Sequence, residues 1–168
     1  MNRGSIRQST GVKIVEGVRI LLAAVGFGWA YAAWNPEAPS AIRILALTLA
    51  VAMCGTCAFE GLFLTDSTAR EKGYGSSTDG HVDPYHVQNT MWFLAATIVG
   101  VIWTIARPEA VQGYVVYVLL ISLFLVFSAA NHAWQAVKHG NRTWQNLNRP
   151  FLTLAMLGGG APIVVSYL

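Results

Sequence analysis

The chain has 168 residues, of which 54% are hydrophobic and only 11% charged. Soluble domains carry about 25% charged residues. A water-soluble fold of this size would lack the polar surface to cover itself, a shortage that disappears in a bilayer. The net charge is +3, but no basic tract is interleaved with aromatics, which argues against a nucleic-acid surface. Lysine and arginine in such a chain fix orientation and meet anionic headgroups.

Five apolar stretches predict an all-α integral membrane bundle of five transmembrane helices, forming a single domain over 1–168. About 20 residues cross the roughly 30 Å of hydrocarbon. The first stretch runs from about Val12 to Trp34, with Lys13, Glu16 and Arg19 on its incoming turns. Ala30-Tyr31-Ala32 has the small-x-small form of a signal-peptide cleavage site. The long charged lead and the four later stretches favour an uncleaved helix. The second stretch, Ile44 to Leu64, carries one ionisable residue, Glu60, near its end. The polar connection 65–83 contains Gly73, Gly75 and Gly80 and reads as a mobile loop. Asp83 and Pro84 suit the cap and first turn of the third stretch, 84–106. The fourth spans about 112–137, with Gly140 as a helix stop. The fifth, 150–168, contains Gly158-Gly159-Gly160 and Pro162. It reads either as a full span tolerated by close packing or as a half-span.

Nine of the eleven cations fall on one side of this topology: Arg3, Arg7, Lys13, Arg19, Arg70, Lys72, Lys138, Arg142 and Arg149. Arg43 and Arg107 fall on the other. The positive-inside rule then places the N-terminus in the cytoplasm and the protein in the cell's inner (plasma) membrane as a multi-pass chain. Trp34, Trp103, Tyr114 and Tyr167 fall at expected outer ends, and Trp92 and Trp134 near inner ends, as aromatic belts do.

Cys54 and Cys57 form a CxxC pair. On an α-helix they share a face, so they are a candidate redox or soft-metal pair. The plainer reading is packing, because Ala46, Ala50, Cys54 and Ala58 recur every four residues. Counting back from the outer ends puts Glu60, His86 and His132 at one inner depth on three helices, with Asn89 and Asn131 beside them. Intramembrane ionisable groups often mark a proton route or bound ion. The carboxylate and two imidazoles are the candidate ligands for a metal, and the imidazoles for a haem. The alternative is that these groups sit in the wetted interfacial zone. Arg19 either snorkels to the headgroups or pairs with Glu60. Lys138, Arg142, Trp144 and Arg149 read as contacts for anionic lipid or a partner. The chain has no P-loop, GxSxG elbow or HExxH. Gly26, Gly28 and the Gly158–Gly160 run read as packing notches.

Pro84-Tyr85-His86-Val87-Gln88, Asn131-His132, and Gly140-Asn141 followed by Asn146 and Asn148 give the second half, 83–168, its likeness. It resembles a group of small uncharacterised bacterial multi-spanning membrane proteins, a domain-of-unknown-function family. That family has an acidic residue two positions after the glutamine, where this chain has Thr90. The resemblance implies a helical membrane fold and supplies no reaction. Two functions are therefore expected in order of preference. The first is a non-catalytic component or accessory subunit of a membrane complex. The second is a cofactor-binding, redox, or proton-, ion- or small-molecule-transporting protein using the Glu/His cluster.

Overall fold

The structure is a computed structural model and describes residues 10–65 and 84–168. The connection predicted as a mobile loop, the Asp83 cap, and the cations Arg3, Arg7, Arg70 and Lys72 lie outside the described residues. Among the described residues there are five helices and no strand. We number them α1 (Thr10–Ala32), α2 (Ser40–Phe63), α3 (Pro84–Ala106), α4 (Val111–Lys138) and α5 (Trp144–Val165). Three of them, α2, α3 and α4, are long and apolar enough to cross a membrane.

The centre of the bundle is α2, which packs against all four other helices. Over its most apolar stretch 56% of the residues are buried, against 22% for α3 and 33% for α4. Its small-residue face explains why. Ala46, Ala50, Cys54 and Ala58 are all buried, and their short side chains let neighbouring backbones approach. The partners match. A Cβ added at Gly100 of α3 would come within 2.6 Å of the Ala50 Cβ, and one at Gly61 of α2 would overlap the Thr90 side chain. Gly26 of α1 faces Thr48 in the same way, whereas Gly28 and Gly158 face open space. The notch reading therefore holds for Gly26 and for Gly159, where a Cβ would meet Phe27 at 3.3 Å, and fails for Gly28 and Gly158.

The middle of α2, Leu49–Gly55, is wound as a π-helix. Threonines stand at both of its edges. Thr48 Oγ1 donates to the Ile44 carbonyl at 2.8 Å, and Thr56 Oγ1 to the Ala52 carbonyl at 2.7 Å. Such back-bonds compete with the regular ladder and bend helices. Around this segment lies the apolar core, which includes Leu45, Met53, Phe93, Tyr114 and Ile121. Trp92 and Phe124 stack across α3 and α4 with centroids 4.5 Å apart.

The helix ends follow the sequence in part. α3 has the predicted limits. α4 stops at Lys138, and Gly140 takes a φ of 64°, a conformation glycine adopts without steric cost. Asn141 N–H then reaches back to the Gln135 carbonyl at 3.1 Å.

The main departure is α5. It begins at Trp144 rather than at Pro150 and continues through the triple glycine and Pro162 to Val165. Pro150 reads as a helix start because proline suits a first turn, but here it lies inside the helix. The extra turn is held by the burial of Gln145, Asn146 and Arg149.

α5 traverses the whole bundle. Its far end is tied to the α1–α2 connection: Trp34 Nε1 donates to Ser166 Oγ at 3.0 Å, and the Tyr167 hydroxyl donates towards the Ala38 carbonyl at 2.6 Å. Tyr31 donates to the Gly159 carbonyl at 2.7 Å, next to the backbone bond that Pro162 cannot make.

Candidate functional site: a buried ion network

Two of the three charged residues of α1, Glu16 and Arg19, lie on the buried face of the helix, while Lys13 is exposed. Val12, Val15, Glu16, Arg19, Ala23 and Gly26 are buried in steps of three and four, which places them on one stripe. The part of the stripe around Glu16 and Arg19 meets the last turns of α2 and the first turns of α5.

There the Arg19 Nη2 donates to Glu60 Oε2 at 2.7 Å, with both residues only 1% exposed. Arg19 Nε donates to Thr56 Oγ1, also at 2.7 Å. Gln145 Nε2 donates to the other carboxylate oxygen of Glu60 at 3.1 Å. Arg149 lies farther off, with Nε 3.7 Å from Glu16 Oε1 and Nη2 4.0 Å from Glu60 Oε2.

Two carboxylates and two guanidinium groups thus share one buried volume, and their formal charges cancel. An isolated charge there would be costly, and a matched, hydrogen-bonded set is how such groups are tolerated. Some donor capacity is left over. Among the described residues, Arg19 Nη1 and Arg149 Nε and Nη2 are buried without a hydrogen bond, as is the acceptor Gln145 Oε1.

Of the two readings of Arg19, the pairing with Glu60 is the one observed. Arg149, expected at the lipid or partner surface, instead faces the interior, because α5 starts earlier than Pro150 suggests. Lys138, Arg142 and Trp144 are exposed, and the Lys138 ammonium stands 5.8 Å from the Trp134 ring centroid. Sequence reading missed Glu16, Gln145 and Thr56 as members of the network. A signal for Glu16 was present in its offset of three from Arg19.

The residues of the predicted polar cluster differ in their surroundings. Glu60 belongs to the ion network. His132 on α4 is buried, and its Nδ1 lies 2.6 Å from Asn146 Oδ1 on α5. Asn146 Nδ2 donates to the Asn141 carbonyl at 2.8 Å, which fixes the amide so that its oxygen faces the ring. The contact therefore requires a proton on His132 Nδ1. His86 is buried on α3, while Asn89 and Asn131 are exposed and belong to no interior cluster. Among the described residues, no three His, Cys, Asp or Glu side chains are placed to hold a metal ion. Glu60 is engaged by Arg19 and Gln145, and His132 Nδ1 by Asn146, so Glu60, His86 and His132 do not form the expected ligand set.

The cysteines also diverge. Cys54, inside the π-wound segment, hydrogen-bonds with the Tyr117 hydroxyl of α4. That hydroxyl donates in turn to the Ala96 carbonyl at 2.9 Å. Cys57 follows the segment, is half-buried, and packs against the apolar core. Both thiols are free. No protein-family model, no curated protein and no solved structure matches this chain.

Proposed function

We propose that the chain is a five-pass protein of the cell's inner membrane, with its N-terminus in the cytoplasm, and that it serves as a non-catalytic component of a larger membrane assembly. All five helices are 22 to 28 residues long, which is enough for a span. α5 reaches from the ion network to the α1–α2 connection, which supports an odd number of crossings. The kinship of 83–168 with bacterial membrane proteins belongs to the same proposal.

One observation carries the non-catalytic reading: the buried charges Glu16, Arg19, Glu60 and Arg149 are paired with one another. Glu60 is clamped by Arg19 and Gln145. Such an arrangement fastens helices, and a fastened polar interior is what a scaffold needs.

The test is purification of the tagged protein from its native membrane in mild detergent, followed by a native gel. A defined complex with partner chains in fixed ratio is expected. A lone small species would overturn the assembly reading.

A second reading has its own observation, the unspent donors of Arg149 and Arg19. These donors would suit a small solute with acceptor atoms, and the Glu60 carboxylate beside them a proton, handled at the network. Proton uptake by vesicles containing the wild-type protein, lost in Glu60→Gln, would favour it.

A further inference from the structure

A crevice of about 240 Å³ opens between α1, α2, α4 and α5 in the half of the bundle away from the ion network. Its walls include Phe27, Leu45, Leu49, Met156 and Gly160, and Ser122 is the one hydroxyl-bearing side chain that lines it. The glycine matters to the space. A Cβ at Gly160 would reach Leu45 only at 3.7 Å, so the absent side chain leaves room that a larger one would fill.

We infer that this crevice binds the acyl chain of a membrane lipid. The inference rests on the membrane reading above. Three occupants can be compared by size and chemistry. Water needs two to four polar partners, and the lining offers one hydroxyl. A helix is about 10–12 Å across with its side chains, far too wide for the space. A run of methylene groups, each roughly the size of a water molecule, fits a volume equal to about eight waters. The mouth also suits a lipid. Val165 and Leu168 line the crevice and are exposed. They lie beside Trp34, Ser166 and Tyr167, whose polar groups mark the headgroup level. A chain entering there keeps its headgroup among these side chains and its tail against Met156 and Leu49. Since bilayer and crevice are both apolar, retention comes from packing rather than transfer. Shape therefore decides it.

The test uses the full chain in vesicles of dioleoyl phosphatidylcholine containing a phosphatidylcholine with a diazirine in its acyl chain. After irradiation the labelled positions are mapped by mass spectrometry. The expected result is label on Leu49 and Met156 as well as on the outward-facing Leu120 and Phe127. In Gly160→Leu and in Ser122→Phe, label at the crevice falls severalfold while label at Leu120 and Phe127 persists, which shows that each variant is inserted and folded. Label on Leu120 and Phe127 with none in the crevice would overturn the inference and leave the membrane reading standing. Label that is insensitive to both fillings would also overturn it. No label on any of these positions would overturn the membrane reading and the inference with it.

Discussion

At one end of the bundle Arg19 and Glu60 meet at 2.7 Å, nearly inaccessible, with Gln145 and Arg149 closing around them. At the other end Tyr31, Trp34 and Tyr167 tie α1 and its following turn to α5 by neutral hydrogen bonds, mostly from exposed positions. Both ends fasten α1 to α5, the charged end largely by way of Glu60 on α2, yet their energetics differ. A neutral hydrogen bond contributes about 0.5–1.5 kcal/mol net. Removing one partner of a buried ion pair costs about 3–5 kcal/mol, because the other charge is left uncompensated. The charged end should therefore be brittle to single substitutions, and the aromatic end forgiving.

The largest expected effect is that of Arg19→Met, which leaves Glu60 buried without its closest cation. Thermal unfolding in detergent should show a loss of about 3–5 kcal/mol, and a loss no greater than that at the aromatic end would erase the contrast. Next comes packing between the ends. Gly26→Ala drives a methyl group into Thr48 and should cost about 1–3 kcal/mol, while Gly28→Ala, which meets nothing within 4 Å, should leave the melting curve in place. Equal effects at the two glycines would refute the α1–α2 register. Asn146→Leu removes the amide between His132 and the Asn141 carbonyl and should cost about 1–2 kcal/mol. The loss should not add to that of His132→Leu, because both variants break the same contact; additivity would mean that ring and amide act separately. The smallest effect is that of Tyr167→Phe, about 1 kcal/mol or less, read from the same melts.

The sequence carried the helices well where apolar length and punctuation agreed. Pro84 opens α3, Gly140 stops α4, and the four-residue repeat of small side chains marks the central face of α2. It carried the Arg19–Glu60 pair as one of two choices, since a short connection makes α1 and α2 neighbours without fixing their rotation. It misread α5, because Pro150 resembles a start and the preceding residues are polar. Gln145, Arg149 and Thr153 nevertheless recur every four residues and are all buried. That spacing was the available sign that the polar stretch is a helix face turned inward. The Glu60–His86–His132 cluster was an inference from depth alone. Equal depth does not make side chains face one another, and rotation is set by contacts among helices distant in sequence.

The most direct test of the buried network is a double-mutant cycle on Arg19 and Glu60. It compares wild type, Arg19→Met, Glu60→Leu and the double variant by reversible unfolding in one detergent. Each single variant should be strongly destabilised. The double variant, left with no uncompensated charge at these two positions, should recover most of the loss, giving a coupling of several kcal/mol. Single losses below about 1 kcal/mol that simply add would be the behaviour of a solvent-exposed pair. That result would contradict a buried, charge-balanced network holding α1, α2 and α5 together.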